Sequence, residues 1–315
     1  MFCPQCQAEH ASGPSCASCG YAFVFDRESD GIDDREWLTL LEHAGANGSE
    51  SFTENRLYAL YAERHVTTTR RIGRRAGLGF ALMAIGFAGW VRSLRGYSGA
   101  LMALSVVLAL CGVAFAVGGI LTERHLPSRA PLADWLGKWQ AAGRDLKWLS
   151  EPRLDSAPSA LVSEQTAPPE RLVIVERDLL VDWLLENDVA RELGLLIVSE
   201  RGYPQKNLER AQRALAQNPS LSVLLLHDAT FAGTEMKQRV ERAALPALRT
   251  ALGGHPLLDA GLFPADIARV ASVCQMLPEA LAGCPLDMLP REAVVNGLRG
   301  VLRGELLLVA AIDGN

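Results

Sequence analysis

The residues with the most definite chemistry in this sequence are Cys3, Cys6, Cys16 and Cys19, spaced C-x2-C-x9-C-x2-C. Each C-x2-C puts a pair of thiolates on one tight turn, where backbone N–H groups can point at the sulfurs. Four thiolates close a tetrahedral shell around Zn²⁺ with no open position, so the zinc expected here is structural. A segment this small has almost no core, and the metal must supply most of its folding energy. Such a site gives no reaction. It gives a rigid knob suited to contact with a protein partner. His10 lies close by, but the cysteines already complete the shell. A redox pair is disfavoured because no βαβ pattern surrounds either C-x2-C.

A second group of candidates lies in the C-terminal half. Leu172–Val175, Leu195–Val198 and Val223–Leu226 are short apolar runs separated by helical patterns. This spells βαβαβ with a parallel sheet buried on both faces. In such sheets, ligands and catalytic groups gather at the C-terminal strand ends. Glu176, the turn from Ser199 to Pro204, and His227-Asp228 all fall there. Each has a structural alternative. Glu176 can pair with Arg177 or Arg201, His227 can pack at its strand end, and Asp228 can cap the next helix.

The elements that would position these groups are divided by the stretch from Ala76 to Thr122. Its first apolar segment, 76–91, has 16 residues, and its second, 99–121, has 23 with Ser105 as the one polar side chain. At about 1.5 Å per residue the first covers roughly 24 Å, short of the ~30 Å hydrocarbon core, whereas the second is long enough to span it. The expectation is a transmembrane hairpin turning through Arg92–Ser98. Arg64, Arg70, Arg71, Arg74 and Arg75 precede it, and Arg124, Arg129 and Lys138 follow. That bias predicts a multi-pass protein of the inner (cytoplasmic) membrane with both termini cytoplasmic.

The resulting organisation is a multi-domain membrane protein. It has a four-cysteine module over 1–25, a helical cytoplasmic segment over 26–75 and the hairpin over 76–122. An amphipathic helix and Pro/Ser/Ala-rich linker follow over 123–170, then a cytoplasmic α/β domain over 171–315. Helices are expected over 35–43 and 53–67, and the Trp- and Leu-bearing stretch 131–149 reads as amphipathic. Segments 265–277 and 290–302 also read as helices, and 305–312 as a strand or short helix. Cys111, Cys274 and Cys284 sit in apolar settings, and the last two read as core thiols. The net charge of −5 over 315 residues argues against a general nucleic-acid surface. The first 20 residues lack a basic region followed by an apolar one, so no signal peptide is expected.

Residues 1–25 resemble the short zinc-ribbon modules at the N-termini of many bacterial membrane and regulatory proteins. Gly20 after Cys19 fits that pattern, and Gln7 stands where the first knuckle often has glycine. Residues 170–270 resemble the Toprim domain of the topoisomerase VI A subunit. The resemblance matches Glu176 to the acidic residue after the first strand. It matches Gly202-Tyr203-Pro204, with Arg210, to the turn after the second strand. It matches Asp228 to Gly233 to the Asp-x-Asp-Pro-x-Gly motif, and Leu258 to Phe263 to a later stretch. It implies that Glu176 and Asp228 hold Mg²⁺ for phosphodiester chemistry. Thr230 replaces the second acid of the motif, and no segment corresponds to the catalytic tyrosine domain.

The leading expectation is therefore a membrane-anchored binding or regulatory protein facing the cytoplasm, not an enzyme. It carries structural zinc, a protein partner at the ribbon and a non-catalytic Toprim-like domain. The alternatives are an Mg²⁺-dependent nuclease-like enzyme using Glu176 and Asp228, with nucleic acid as its partner, and an oligomerising membrane effector.

Overall fold

The computed structural model describes residues 2–9, 13–64, 85, 107, 127–153, 169, 171–243, 251–263 and 283–303. The chain forms two compact units. One joins Met1–Leu60 to Ser128–Asn315, and the other is Tyr61–Pro127.

The first unit is built on a parallel sheet. Its strands are β3 (Arg171–Val175), β4 (Leu195–Ser199), β5 (Ser222–Leu226) and β6 (Leu257–Asp259), in the order β4-β3-β5-β6. Val173 stands beside Ile197 on one side and Leu224 on the other. Because side chains alternate along a strand, Leu172 and Ile174 serve one face and Val173 and Val175 the other. All four are fully buried, which is why the strands read as continuous apolar runs. On the first face, Leu208, Ala211 and Leu215 of the helix Gln205–Gln217 join Met236 and Val240 of the helix Met236–Ala243 in one cluster. The chain steps from β3 to β4, then back across β3 to β5. Right-handed crossovers in opposite directions put the connecting helices on opposite faces. The helix Asp178–Glu186 thus takes the second face and buries Leu180, Val181 and Leu184. The step reverses between β3 and β5, and in a doubly wound sheet the carboxyl ends of those strands form the ligand crevice.

The N-terminal residues belong to this same unit. The helix Asp34–Ala44 starts where the Asp33 carboxylate accepts the Glu36 N–H at 2.9 Å. Phe25 stacks parallel to Trp139 at 5.9 Å, and Trp37 meets Trp135 and Trp139 edge-on. These rings join the N-terminal segment to the helix Ala130–Ala141. Phe52–Thr53 (β1) then pairs in parallel with Trp148–Leu149 (β2). Ser51 and Asn187 exchange two hydrogen bonds, of 2.8 and 2.9 Å.

Two expectations are corrected. Among the described residues, no helix is long and apolar enough to cross a membrane. The transmembrane fold class and the inner-membrane localisation are overturned on that finding. The segments 76–91 and 99–121 lie outside the described residues except for Ile85 and Val107, which are helical and exposed. Two cations that carried the orientation argument have work inside the first unit: Arg129 binds Asn55 and Lys138 binds Asp30. The second correction concerns 131–149, which is not one helix. It stops at Ala141, and Trp148–Leu149 is a strand. Its apolar stripe of Leu132, Trp135, Leu136 and Trp139 is buried. Segments 265–277 and 305–312 lie outside the described residues.

Candidate functional site

The four cysteines converge. Their sulfurs all lie within 4.8 Å of one another, with Cys3 to Cys19 at 3.6 Å and Cys6 to Cys16 at 3.7 Å. A tetrahedron of sulfurs about 2.3 Å from zinc has edges of about 3.8 Å, so the group has the right size to hold a metal ion. The two knuckles are built alike. Gln7 N–H donates to the Cys3 carbonyl, and Gly20 N–H donates to the Cys16 carbonyl. Both residues then take left-handed backbone, at φ 59 for Gln7 and 75 for Gly20. Gln7 thus adopts the glycine conformation, at a cost of about 1–2 kcal/mol for its side chain. Backbone N–H groups of Cys19 and Ser18 aim at the Cys16 sulfur and pull that thiol down to about 6. At Cys19 the Tyr21 N–H acts in the same downward direction, but burial and the neighbouring thiols push it up to about 12. Without a cation the sulfurs cannot all ionise together, whereas a bound divalent metal makes each of them a thiolate.

The four-cysteine module is locked to the rest of its unit by Asp34, which is almost fully buried. Its carboxylate accepts from Tyr21 Oη at 2.9 Å, and from the Val24 and Phe25 N–H groups. Burial and Asp34 together raise the Tyr21 pKa, so that phenol keeps its proton.

At the sheet's switch point the two predicted residues touch through the backbone of one of them. The Asp228 N–H donates to Glu176 Oε2 at 3.1 Å. The Asp228 carboxylate, however, is filled by other donors: Arg177 Nε at 2.5 Å, Arg177 Nη2 at 3.2 Å and the Leu286 N–H at 2.7 Å. Arg177 Nη2 also donates to Asp287 Oδ1 at 2.6 Å, and that carboxylate is fully buried. Burial opposes the Arg177 cation, but Asp287 and Asp228 outweigh it and hold the guanidinium above its ordinary pKa. Glu176 pairs with Arg239 at 3.5 Å, and Arg239 also binds Glu200. Among the described residues, the four cysteines are the one group of three or more His, Cys, Asp or Glu side chains placed to hold a metal ion.

The structural alternatives resolve individually. Asp228 does not cap the following helix, since Thr230 Oγ1 accepts the Gly233 N–H there. The partner of Glu176 is Arg239, 63 residues away, and neither Arg177 nor Arg201. In the turn before the helix Gln205–Gln217, Ser199 Oγ accepts the Arg201 and Tyr203 N–H groups, and Tyr203 Oη donates to Asp182. Cys284 is buried and disulfide-bonded, so it is not a free core thiol. The sequence reading missed Arg177 as the hub, together with Asp287 and Asp259. Adjacency of Arg177 to Glu176 was a usable signal for the first. The stretch Cys284–Pro290 carried none for Asp287.

His227 is fully buried, and both ring nitrogens face acceptors. Nδ1 donates to the Asp228 carbonyl at 2.8 Å and Nε2 to Asp259 Oδ1 at 3.1 Å. Only the imidazolium satisfies both. Burial works against that charge, but the Asp259 hydrogen bond prevails and raises the His227 pKa above 6.5. Burial likewise works against the Asp259 carboxylate, and the His227 bond prevails in lowering it below 3.8. The raised histidine stabilises the fold below pH 6.5, and that share is lost as pH rises through its folded value. The lowered aspartate stabilises the fold above pH 3.8, and that share is lost as pH falls through its own folded value. Urea melts across this range are therefore expected to show stability declining from pH 6.5 upward, and the decline should flatten in His227→Gln.

Two glycines make room for this ring. A Cβ on Gly261 would lie 2.2 Å from His227 Cδ2, and one on Gly233 would lie 2.1 Å from the Asp228 carbonyl oxygen. Gly261→Ala is expected to cost about 1–3 kcal/mol through overpacking. The readout is a lower urea midpoint at unchanged slope.

Comparison with known proteins gives no match: no family model fits the chain, and no curated protein or solved structure proved similar.

Proposed function

We propose that this chain is a binding or regulatory protein. In this reading a structural zinc ribbon is fused to a Toprim-like α/β fold that performs no phosphodiester chemistry. The observation that carries it is the occupation of Asp228 by Arg177 and the Leu286 N–H. A Mg²⁺ ion needs carboxylate oxygens free to face it together with substrate phosphates. Here the acid at the switch point is neutralised from within. Support for the Toprim likeness is the parallel sheet with Glu176 and Asp228 after neighbouring strands. Phe2, half exposed beside Cys3, is the apolar group the ribbon offers to a protein partner.

The test uses the full chain with plasmid DNA and Mg²⁺ or Mn²⁺. No cleavage or rejoining is expected. Strand cleavage that disappears in Asp228→Ala would overturn the reading in favour of the second one, a metal-dependent phosphodiester enzyme. The contact between Glu176 and the Asp228 N–H is the observation on that side.

A further inference from the structure

The chain turns sharply after the helix Asp34–Ala44. Ala46 and Asn47 take left-handed backbone, at φ 44 and 59. The Asn47 N–H donates to the Glu42 carbonyl at 2.8 Å, and the Glu50 N–H donates to the Gly45 carbonyl at 3.0 Å. Lys147 Nζ donates to the Ser49 carbonyl at 3.1 Å and holds the turn. Glu50 is thereby returned to the end of its own helix, beside Trp183 of the helix Asp178–Glu186 and the start of the helix Arg291–Leu302. These parts enclose a cavity of about 120 Å³. Ala44, Trp183 and Leu289 line it and are buried, which makes its floor apolar. The lining shares no residue with the Glu176–Asp228 pair.

Four charged side chains line the same cavity, the acids Glu50 and Glu292 and the cations Arg56 and Arg291. The arginines are fixed from behind. Arg291 Nε donates to the Asn187 carbonyl at 2.8 Å and its Nη2 pairs with Glu192, while Arg56 Nη1 donates to the Met288 carbonyl at 3.0 Å. Among the described residues, Arg291 Nη1 meets no acceptor. Glu50 is half-buried, and among the described residues its carboxylate accepts no hydrogen bond. Burial pushes that carboxyl above its ordinary 4.5, and the pull of Arg291 and Arg56 does not offset it. The cavity thus offers a carboxylate in need of a donor and a guanidinium edge in need of an acceptor.

These charges select the ligand. A simple anion meets Glu50 and Glu292, and a simple cation meets two arginines. A dipolar ion finds a partner at each end. Size narrows the choice further: a cavity of about 150 Å³ takes one benzene, so about 120 Å³ admits about six non-hydrogen atoms. An α-amino acid as small as alanine has that size, and its methyl group suits the apolar floor.

We propose that this cavity binds a small α-amino acid, its ammonium group on Glu50 and its carboxylate on Arg291. The site goes beyond the binding reading above and stands whether or not the chain cleaves DNA.

The test is calorimetric titration of the full chain with L-alanine, propionate and ethylamine. Propionate lacks the ammonium group and ethylamine the carboxylate, so each leaves one charged partner in the cavity unmatched. L-alanine is expected to bind one to one, and both analogues about tenfold more weakly or worse. In Glu50→Gln, L-alanine should weaken about tenfold, to the level of propionate, while propionate binds no more weakly than before. Urea melts supply the second measurement. Without ligand, Glu50→Gln should keep or raise the midpoint, because it removes a half-buried charge that has no donor. L-alanine should raise the midpoint of the parent chain and leave that of the variant nearly unchanged. The proposal is overturned if L-alanine neither binds nor raises the parent midpoint, or if either analogue binds as tightly. It is also overturned if Glu50→Gln keeps full affinity, or if that substitution lowers the midpoint of the unliganded chain, which would make Glu50 a structural group.

Discussion

The purified chain is expected to carry a single zinc ion, and its removal is expected to have the largest effect on the N-terminal half. Zinc binding to short cysteine modules is worth on the order of 10–16 kcal/mol at neutral pH, far more than so small a core can supply. Cys16→Ser removes a buried ligand from the tetrahedron, and the remaining three sulfurs leave the knuckles without closure. The consequence should reach beyond the ribbon. Tyr21 lies two residues after Cys19 and anchors to Asp34, and Asp34 also holds the Val24 and Phe25 N–H groups. Phe25 in turn packs on Trp37 and Trp139. Metal analysis should give one zinc per parent chain and none for Cys16→Ser. Chelation and the substitution should both shift tryptophan emission to the red as Trp37 and Trp139 lose their packing. A Cys16→Ser chain that kept its zinc and its parent emission would sink the structural-zinc reading.

The convergence of the cysteines was readable because it is a local constraint: two turns of fixed geometry and a short loop define it. The three central strands were readable for a similar reason, since a strand buried on both faces needs an unbroken apolar run. β6 escaped because only Leu257, Leu258 and Asp259 pair with β5, and their partial exposure leaves no such run. The helical pattern after β3 gives no sign of where its helix ends, at Glu186. The chain breaks at Asn187, whose amide is drawn to Ser51, a contact 136 residues distant in sequence. The same limit hid the site. Glu176 and Asp228 were found from their place at the ends of strands. Arg239 neutralises Glu176, and Arg177 neutralises Asp228 while also holding Asp287; only the folded topology brings these groups together. The apolar stretch 76–122 had the opposite character. Composition and flanking charge were the whole argument there, and Arg129 and Lys138 are held by the first unit itself.

Arg177→Met is expected to be the most destabilising single change in the α/β region. It leaves Asp228 and Asp287, 4% and 0% exposed, as two buried carboxylates without a cation. Breaking a buried ion pair from one side costs about 3–5 kcal/mol, because the remaining charge is stranded away from water. Removing the charges together is a different experiment. Combined with Asp228→Asn and Asp287→Asn, the same substitution leaves neutral amides that still accept from the Leu286 N–H and the Asn55 amide. That triple variant should regain most of the lost stability. The pH dependence separates this account from simple loss of packing. In Arg177→Met alone burial acts on Asp228 without its cation, so Asp228 takes up a proton in the folded state at pH values where the unfolded chain has released it. Stability then falls with rising pH, and the gap to the parent chain should widen from about pH 5 to about pH 8. Denaturant melts at several pH values measure that gap. A gap independent of pH would mean that the cost is the missing side-chain volume, and that the lattice at the ends of β3 and β5 is not held by charge.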